Sequence, residues 1–365
     1  MSSVPLNLDQ TFFAAGVNYR TAPVDVRERM AVAHPDRIEV SRLLQLKAGL
    51  SEVVVLWTCN RVEIYGVAAR DQKIEAAPMF ECLAREMPSL SSHVYCHHGQ
   101  DALKHLFKVA SGLDSMVMGE TQVTGQVRDA YEAAREEKLT GKILNSVFQK
   151  ALQTAKAVRT QTSIGRGARS VGGVAVAHAR EVLGARGLKK HAVLMIGAGE
   201  MASCCLLHLQ KKGDCSVVVA NRSLERAQTL ASEFKGSAVP FDKMYEAMAD
   251  VDVVISSTGS PTTVINHDDL KPVLQKRKDR PLVIIDIAVP RDVDPEVAHI
   301  EGVHLHDIDT LESTVQQTLG RWEKDLEICA DIIDQEIDDL LMRFKRRQIA
   351  KNANHDGAMV AAVAV

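Results

Sequence analysis

The chain has 365 residues, of which 46% are hydrophobic and 25% are charged, and its formal net charge is −3. These values are typical of a soluble globular protein with two or three domains. They exclude a global attraction to nucleic acid or to an anionic membrane, so a polyanionic partner would need a local basic patch. No run of about 18 apolar residues and no signal-peptide pattern occurs, which predicts a cytoplasmic protein.

The first hundred residues predict alternating strands and helices. "TFFAAGVN" is an apolar strand expected to break at Gly16, and "VDVRERMAV" has the charge spacing of a helix. "EVVVLWT" and "RVEIYGVA" predict a pair of neighbouring strands. From about residue 101 to 162 the pattern is helical, with an apolar stripe of Leu103, Leu106, Phe107 and Ala110. We therefore predict a first domain over residues 1–162.

A second alternation of strands and helices follows the Gly-rich and Arg-rich segment 163–173. The predicted strands cover residues 191–197, 216–220, 252–258, 282–287 and 303–307. Helix-length segments separate them, which indicates βαβ units and a parallel sheet. We predict a second domain over 163–307, a long helix over 308–350 and a disordered tail over 351–365. The apolar stripe of such a helix must be covered by another domain or by a second subunit.

The segment "VLMIGAGEMASCC" opens the second domain with the spacing G-x-G-x-x-A, in which Gly197, Gly199 and Ala202 hold the three small positions. Gly197 permits a tight turn, Gly199 lets the backbone approach a pyrophosphate, and Ala202 keeps the helix close to the strand. A glycine turn without a ligand is the alternative interpretation. The predicted cofactor contacts in this loop are Gly197, Ala198, Gly199, Glu200, Met201 and Ala202.

The end of the next strand reads "VVVANRSLERA", with Asn221, Arg222 and Ser223 where an NAD enzyme tends to carry an acid. A guanidinium and a hydroxyl suit a 2′-phosphate, which favours NADP. Arg222 as an ordinary surface arginine is the alternative.

The chain has an odd number of cysteines without metal-type spacing, so neither a disulfide framework nor a metal site is predicted. They are Cys59, Cys82, Cys96, Cys204, Cys205, Cys215 and Cys329. Cys59 stands out because it ends a strand beside Arg61, and a nearby cation lowers the pKa of a thiol. With a hydride cofactor, a thiolate can form a thioester that hydride then reduces to an aldehyde. An inert buried thiol is the alternative.

Several segments resemble the glutamyl-tRNA reductase family, in order from residue 16 to about residue 345. These are "TCNRVEIY", "HLFKVASGLDSMVMGETQVTGQVRDAY", "GAGEM", "ANRSLERA", "ISSTGSP" and "VIIDIAVPRDVDPEV". The resemblance implies an α/β chain with an N-terminal catalytic domain, a Rossmann-type NADPH-binding domain and a long C-terminal helix. It implies that NADPH reduces glutamyl-tRNA(Glu) to glutamate-1-semialdehyde through a Cys59 thioester, the first step of tetrapyrrole and haem biosynthesis by the C5 route.

The resemblance also implies roles for individual residues. Cys59 is the nucleophile, and His105 is a histidine needed for activity, although its helix face alone is typical of a surface histidine. The implied substrate-binding residues are Thr58, Asn60, Arg61, Ser115, Glu120, Thr121, Gln122 and Gln126. Arg61 is expected to pair with the side-chain carboxylate of the substrate and Glu120 with its α-ammonium group.

Partners are less clearly indicated. Basic residues that are candidates for tRNA contact are Lys150, Lys156, Arg159, Arg166, Arg169 and the segment "RFKRRQIAK", with a solvated charged surface as the alternative. The family forms a homodimer through helices that continue beyond the long one, and glutamate-1-semialdehyde aminomutase is the expected recipient of the aldehyde. Two other functions remain open: an NADP-dependent dehydrogenase for a small metabolite, and an inactive regulatory homologue.

Overall fold

The computed structural model describes residues 11–33, 37–68, 79–80, 92–164, 171–184, 191–212, 215–278, 280–311 and 323–363. The chain forms two compact units. Unit 1 comprises Met1–Asn18, Asp36–Gly167 and Trp322–Val365, and unit 2 comprises Tyr19–Pro35 and Ala168–Arg321. Within the described ranges, no helix is both long enough and apolar enough to cross a membrane.

The secondary structure alternates as the sequence predicts. In chain order the elements are β1 (Phe12–Asn18), α1 (Val24–Ala33), α2 (Arg37–Lys47), β2 (Leu50–Trp57), β3 (Arg61–Ala68), β4 (Tyr95–His98), α3 (Gly99–Ala110), α4 (Gln122–Glu136), α5 (Lys142–Gln161), α6 (Val171–Val182), β5 (Ala192–Ile196), α7 (Glu200–Lys212), β6 (Ser216–Asn221), α8 (Leu224–Glu233), β7 (Ser237–Pro240), α9 (Met244–Met248), β8 (Val253–Ser256), α10 (His267–Arg277), β9 (Leu282–Asp286), β10 (Val303–Asp307) and α11 (Glu323–Val363).

Unit 1 is built on a four-stranded antiparallel sheet with the strand order β2-β3-β1-β4. β2 and β3 form a hairpin as predicted, and every residue of β3 is buried. The predicted break of β1 at Gly16 is wrong, because the strand continues to Asn18. Side chains of the neighbouring strands occupy the space that a side chain at Gly16 would need.

Helix α3 packs against β1 and β4 and also against α5 and α11. The predicted stripe of Leu103, Leu106, Phe107 and Ala110 is fully buried. The N-terminus of α5 is capped from β2: Glu52, 8% exposed, accepts hydrogen bonds from the backbone N–H groups of Ile143 (3.2 Å) and Leu144 (2.7 Å). A carboxylate at this position satisfies helix N–H groups and interacts favourably with the helix dipole.

The long C-terminal helix belongs to unit 1. Helix α11 packs on α3 and α5 and buries Cys329, Ile333 and Ile337. Ion pairs from Lys104 to Asp334 (2.7 Å) and from Lys150 to Glu336 reinforce this contact. Residues 308–311 are helical, as predicted for the start of the long helix near residue 308. Residues 312–322 lie outside the described part of the chain, and α11 is described from Glu323 onward.

The helix backbone continues to Val363, so most of the segment 351–365, for which the sequence predicts disorder, is helical. This segment contains no proline, and alanine, the best helix former, is its commonest residue.

Unit 2 contains a six-stranded parallel sheet with the order β10-β9-β8-β5-β6-β7, which confirms the predicted parallel sheet. The five predicted strands are present, whereas β7 has only four residues and ends in a proline, so its pattern is too short to detect. The strand order reverses between β5 and β8. In folds of this type the crevice at the carboxyl ends of those strands binds the ligand.

Residues 19–35 belong to unit 2 although they precede most of unit 1 in sequence, which departs from the predicted boundaries after residues 162 and 307. Two ion pairs hold α1 in this unit. The fully buried Arg27 pairs with Asp309, and Glu28 accepts a hydrogen bond from the Arg291 side chain (2.8 Å). The backbone N–H of Val24 also donates to Asp309 (3.1 Å).

Two histidines of unit 2 are stacked edge to face. The rings of His178 on α6 and His306 on β10 lie 4.3 Å apart at 77°. Both ring nitrogens of His178 and Nε2 of His306 are buried and have no hydrogen-bond partner among the described residues. Burial lowers the pKa of both histidines, and the neighbouring His178 lowers the pKa of His306 further.

Because the folded protein disfavours protonation of His178 and His306, we expect the protein to lose stability in acid. Below the unfolded-state pKa of 6.5 the unfolded chain binds more protons than the folded one, so stability that is present above that pH declines as the pH falls. We expect His178→Leu to reduce this decline, by about 1 kcal/mol between about pH 7 and 5. Urea unfolding at the two pH values measures it, with the exposed His299→Leu as control. Equal pH dependence of wild type and His178→Leu would contradict the prediction.

Candidate active site

Cys59 lies in the tight turn that joins β2 to β3. The backbone N–H of Thr58 donates to the carbonyl of Arg61 (2.9 Å), and the Thr58 hydroxyl accepts from the N–H groups of Asn60 and Arg61 (both 3.1 Å). A threonine that bonds the backbone two and three residues ahead stabilises such a turn. Cys59 is half-buried at the turn and forms no disulfide. The change from apolar to polar sequence therefore marks the end of the strand and the start of the turn that holds Cys59.

Arg61 directs its guanidinium into the protein rather than into solvent. It is 1% exposed and donates from one terminal nitrogen to Glu63 Oε1 (2.7 Å) and to Asp114 Oδ2 (3.0 Å). Its other terminal nitrogen donates to the carbonyl of Asp114. Arg61 thus links β3 to the segment after α3.

Glu63 is the centre of the cluster, which we call the Glu63 network: Arg61, Glu63, Tyr65, Tyr95, His105 and Asp114. The carboxylate is completely buried and accepts hydrogen bonds from the hydroxyls of Tyr65 and Tyr95. Its Oε1 lies 3.0 Å from Nε2 of His105. Burial alone would raise the pKa of Glu63, but the Arg61 charge together with His105 outweighs it and holds that pKa well below the usual range. Glu63 is therefore ionised at neutral pH.

His105 is not the surface histidine that its helix face suggests. Its side chain is 11% exposed, because the sheet residues cover the face of α3 opposite the apolar stripe. Its ring lies 5.3 Å from that of Tyr95 and 5.0 Å from that of His97. The structure therefore places the predicted His105 beside the predicted Arg61, with Glu63 between them.

The strand register explains how these side chains meet. β1 lies between β3 and β4, and Gly16 pairs with Glu63 on one side and with Tyr95 on the other. A Cβ atom at Gly16 would lie 2.7 Å from Glu63 Cγ and 3.0 Å from the Tyr95 hydroxyl. The missing side chain leaves the space through which Tyr95 reaches across β1 to Glu63.

The segment between α3 and α4 carries the remaining predicted substrate residues. Gly112 and Gly119 both have positive φ (73° and 77°), and the N–H of Gly119 donates to the carbonyl of Gly112 (2.9 Å). This fold buries Ser115 and Glu120. The Ser115 hydroxyl makes no hydrogen bond of ordinary geometry within the described residues, although it lies near enough to Glu120 to influence it.

Glu120 differs from Glu63 in its electrostatics. Burial raises the pKa of Glu120 to about 7, and the Ser115 hydroxyl and the Arg61 charge oppose that rise only in part. A carboxyl group with such a pKa can gain or lose a proton near neutral pH, which is typical of functional sites. Thr121 is exposed, and Gln122 and Gln126 are half-buried on the first turns of α4.

The glycine loop of unit 2 has the geometry that a dinucleotide requires. Gly197 has φ +105°, and a Cβ there would lie 2.2 Å from the carbonyl of Ser257, so only glycine fits. The space above Gly199 is open to 4 Å, and Ala202 is fully buried against the sheet. Helix α7 begins at Glu200, so its N-terminal N–H groups adjoin the open space. Ala198 is half-buried in the same loop, and Met201 is half-buried in the first turn of α7.

The segment after β6 contains the predicted ribose-phosphate residues. Ser223 caps α8 by accepting from the N–H of Arg226 (3.3 Å), and the Asn221 side chain donates to the carbonyl of Ser223 (3.1 Å). Arg222 donates to the Ser260 hydroxyl (2.9 Å) and lies over the Phe241 ring at 5.9 Å. The exposed Arg222 is thus held at the carboxyl edge of the sheet.

Sequence reasoning missed Gly16, Glu63, Tyr65, Tyr95 and Asp114. One signal was available: in "RVEIY" the alternation places Arg61, Glu63 and Tyr65 on one face of a strand that is otherwise apolar. Three polar side chains on one face of a buried strand indicate a satisfied polar network.

Gly16→Ala should destabilise the protein by about 1–3 kcal/mol, because the new methyl group overlaps Glu63 and the carbonyl of Val62. Gly125→Ala is the matched control, since a Cβ at that helical position meets nothing within 4 Å and alanine favours the helix. Urea unfolding measures both. An unfolding free energy for Gly16→Ala equal to that of the wild type would show that the space above Gly16 is not required.

Comparison with known proteins agrees with these features. Residues 15–162 match the family described as glutamyl-tRNAGlu reductase, N-terminal domain, and residues 177–314 match shikimate / quinate 5-dehydrogenase. The glutamyl-tRNA reductase of Nitratidesulfovibrio vulgaris (strain DP4) is 40% identical over 331 residues, which cover 90% of this chain and 74% of that protein. That of Carboxydothermus hydrogenoformans is 43% identical over 326 residues, which cover 88% and 72%.

A solved structure, glutamyl-tRNA reductase from Methanopyrus kandleri, is 34% identical with a TM-score of 0.52 and covers 98% of this chain and 88% of its own. The similarity extends through both units and includes the Cys59 turn and the glycine loop. The chain therefore belongs to the glutamyl-tRNA reductase family.

Proposed function

We propose that the protein reduces the glutamyl group of glutamyl-tRNA(Glu) to glutamate-1-semialdehyde with NADPH, through a thioester on Cys59. This reaction is the first step of 5-aminolevulinate synthesis by the C5 route. One observation carries the proposal: the turn that holds Cys59 continues directly into the buried Arg61–Glu63–His105 contacts. The relatives named glutamyl-tRNA reductase support it.

The cofactor is NADPH, which supplies a hydride when bound. Gly197 and Gly199 leave room for the pyrophosphate at the N-terminus of α7. Arg222 and Ser223 follow β6 where a 2′-phosphate would lie, and a guanidinium forms charge-assisted bonds to such a group. The residues of this loop therefore fit a phosphorylated dinucleotide.

Cys59 attacks the ester carbonyl of the substrate. A sulfur–carbon bond forms, the carbon–oxygen bond to the tRNA breaks, and the ribose hydroxyl leaves. His105 accepts the thiol proton and returns it to the departing ribose oxygen. Glu63 orients the imidazole through Nε2 and stabilises the imidazolium while it carries that proton.

Arg61 binds the side-chain carboxylate of the substrate. Its bonds to Glu63 and Asp114 leave some of its five N–H groups for that task, and they fix its orientation before the substrate arrives.

The other substrate contacts come from the turn and from the segment before α4. Thr58 and Asn60 shape the pocket beside Cys59. Glu120 receives the α-ammonium group, and the buried Ser115 hydroxyl, which lies near Glu120, hydrogen-bonds the glutamyl group. Thr121, Gln122 and Gln126 line the start of α4 and bind further polar atoms of the aminoacyl end.

The basic residues differ in their availability to tRNA phosphates. Lys150 is engaged with Glu336, and Arg159 donates to the Thr124 hydroxyl (2.8 Å), so neither is a free phosphate contact in this structure. Arg166 and Arg169 lie outside the described residues. Lys156 is exposed, and Arg343, Lys345, Arg346 and Arg347 form an exposed basic set on α11. We favour this set as the tRNA contact.

The same helix supports a homodimer. Ile328, Met342 and Ile349 are 43%, 47% and 68% exposed. They occupy three of four successive heptad positions, and the exposed Gln335 occupies the fourth. Apolar residues at heptad spacing form a seam that a second helix covers. Because the product is a reactive aldehyde, direct transfer to glutamate-1-semialdehyde aminomutase is the expected next step.

A single-turnover assay with glutamyl-tRNA and NADPH tests the proposal. Wild type and Cys96→Ser, a change of another half-buried cysteine, should form glutamate-1-semialdehyde, whereas Cys59→Ser should form none. Product from Cys59→Ser at the wild-type rate would contradict the thioester. If all three proteins bind NADPH but leave glutamyl-tRNA unchanged, the proposed activity on glutamyl-tRNA is wrong. A dehydrogenase of a small metabolite is then the better interpretation.

A further inference from the structure

The proposed reaction requires a proton from solvent in every turnover, and the inference below rests on that function. The thiol proton of Cys59 leaves with the ribose oxygen of the tRNA. Reduction of the thioester by hydride then releases the aldehyde and leaves a thiolate. The thiolate must gain a proton before Cys59 and His105 return to their starting state, and neither the substrate nor the cofactor supplies it.

The interior of the site is closed to bulk water. Glu63 has no exposed surface, Arg61 is 1% exposed and His105 is 11% exposed. A proton that reaches His105 from solvent therefore has to pass through a group that contacts both the surface and His105.

His97 meets this requirement. It is half-buried on β4, and its ring lies 5.0 Å from that of His105 at 33° and 5.4 Å from that of Tyr95. A proton can pass between two imidazoles at this separation through one water molecule. In the strand register His97 pairs with Ala14, whose small side chain leaves room above β1 between His97 and Tyr65.

We propose that His97 is the proton relay of the active site, passing a solvent proton to His105 and from there to the Cys59 thiolate. The N–H bond of a transiently protonated His97 breaks as one forms on His105. That bond breaks in turn as S–H forms on Cys59, and His97 takes a new proton from water. The charge on each residue is restored, and one solvent proton is consumed.

The surroundings of His97 favour its neutral form at rest, as a proton relay requires, over a permanently protonated form. Burial lowers the pKa of His97, and the charge of His105 lowers it further, while Asp101, Glu63 and Asp114 act in the opposite direction. His97 is thus neutral at rest and does not retain a proton that it accepts. Oε1 of Glu63 lies 3.0 Å from Nε2 of His105, which gives a proton on His105 a carboxylate partner.

The adjacent histidine offers a matched control. Side chains alternate along a strand, so Tyr95 and His97 face α3 whereas Cys96 and His98 face the other way. His98 is exposed and lies 3.4 Å from the Cys96 sulfur, on the face of the sheet away from the Glu63 network.

The test compares His97→Phe and His98→Phe with wild type, using glutamyl-tRNA and NADPH. We measure thioester formation without NADPH, and kcat with NADPH over a range of pH. For His97→Phe we expect an unchanged rate of thioester formation and a kcat reduced by about ten-fold or more, with the deficit growing as protons become scarce at high pH. Free imidazole in the buffer should restore much of the loss. His98→Phe should behave as wild type.

A wild-type kcat for His97→Phe across the pH range would overturn the relay. So would a loss that affects thioester formation equally or that imidazole does not restore, since either outcome would show a structural role. If the wild-type protein does not reduce glutamyl-tRNA at all, the failure belongs to the proposed function and not to His97.

Discussion

The architecture of the first unit depends on one buried negative charge. An ionised carboxylate without solvent or partners is too costly to remain in a protein interior. Glu63 is tolerated because Arg61 balances its charge and because Tyr65, Tyr95 and His105 occupy its oxygens. Each of these partners would itself lose a hydrogen bond if Glu63 were removed. The carboxylate therefore fixes the positions of an arginine and a histidine that come from different elements, and it does so beside the turn that presents Cys59.

In each unit a glycine, which has no side chain, leaves space that the candidate site requires. At Gly16 the absent Cβ lets Tyr95 extend over the middle of a sheet to reach Glu63. At Gly197 the absent Cβ lets the chain turn against the carbonyl of Ser257 and present helix N–H groups to an anion. At Gly16 the neighbouring strands β3 and β4 maintain this space without a ligand.

Most strands and helices could be predicted because their periodicity is local. The Cys59 turn and the glycine loop were also readable, since each lies within a few consecutive residues. Tyr95 could not be assigned, because its contact with Glu63 spans 32 residues and depends on β1 lying between β3 and β4. The helix position of His105 suggested a surface residue, because its carboxylate partner Glu63 lies 42 residues away in the sequence. The grouping of α1 with the second unit depends likewise on ion pairs to Asp309 and Arg291, which no local pattern reveals.

The most direct test of this account is the rate of thioester formation at Cys59 in Glu63→Gln, measured with labelled glutamyl-tRNA in a single turnover. Glutamine nearly preserves the shape of the side chain but removes the charge that holds Arg61 and His105. The account predicts a rate lower by on the order of 10²-fold or more, while Glu52→Gln, a change of a buried glutamate in the same sheet, leaves the rate unchanged. Thioester formation by Glu63→Gln at the wild-type rate would contradict the claim that this buried anion organises the site.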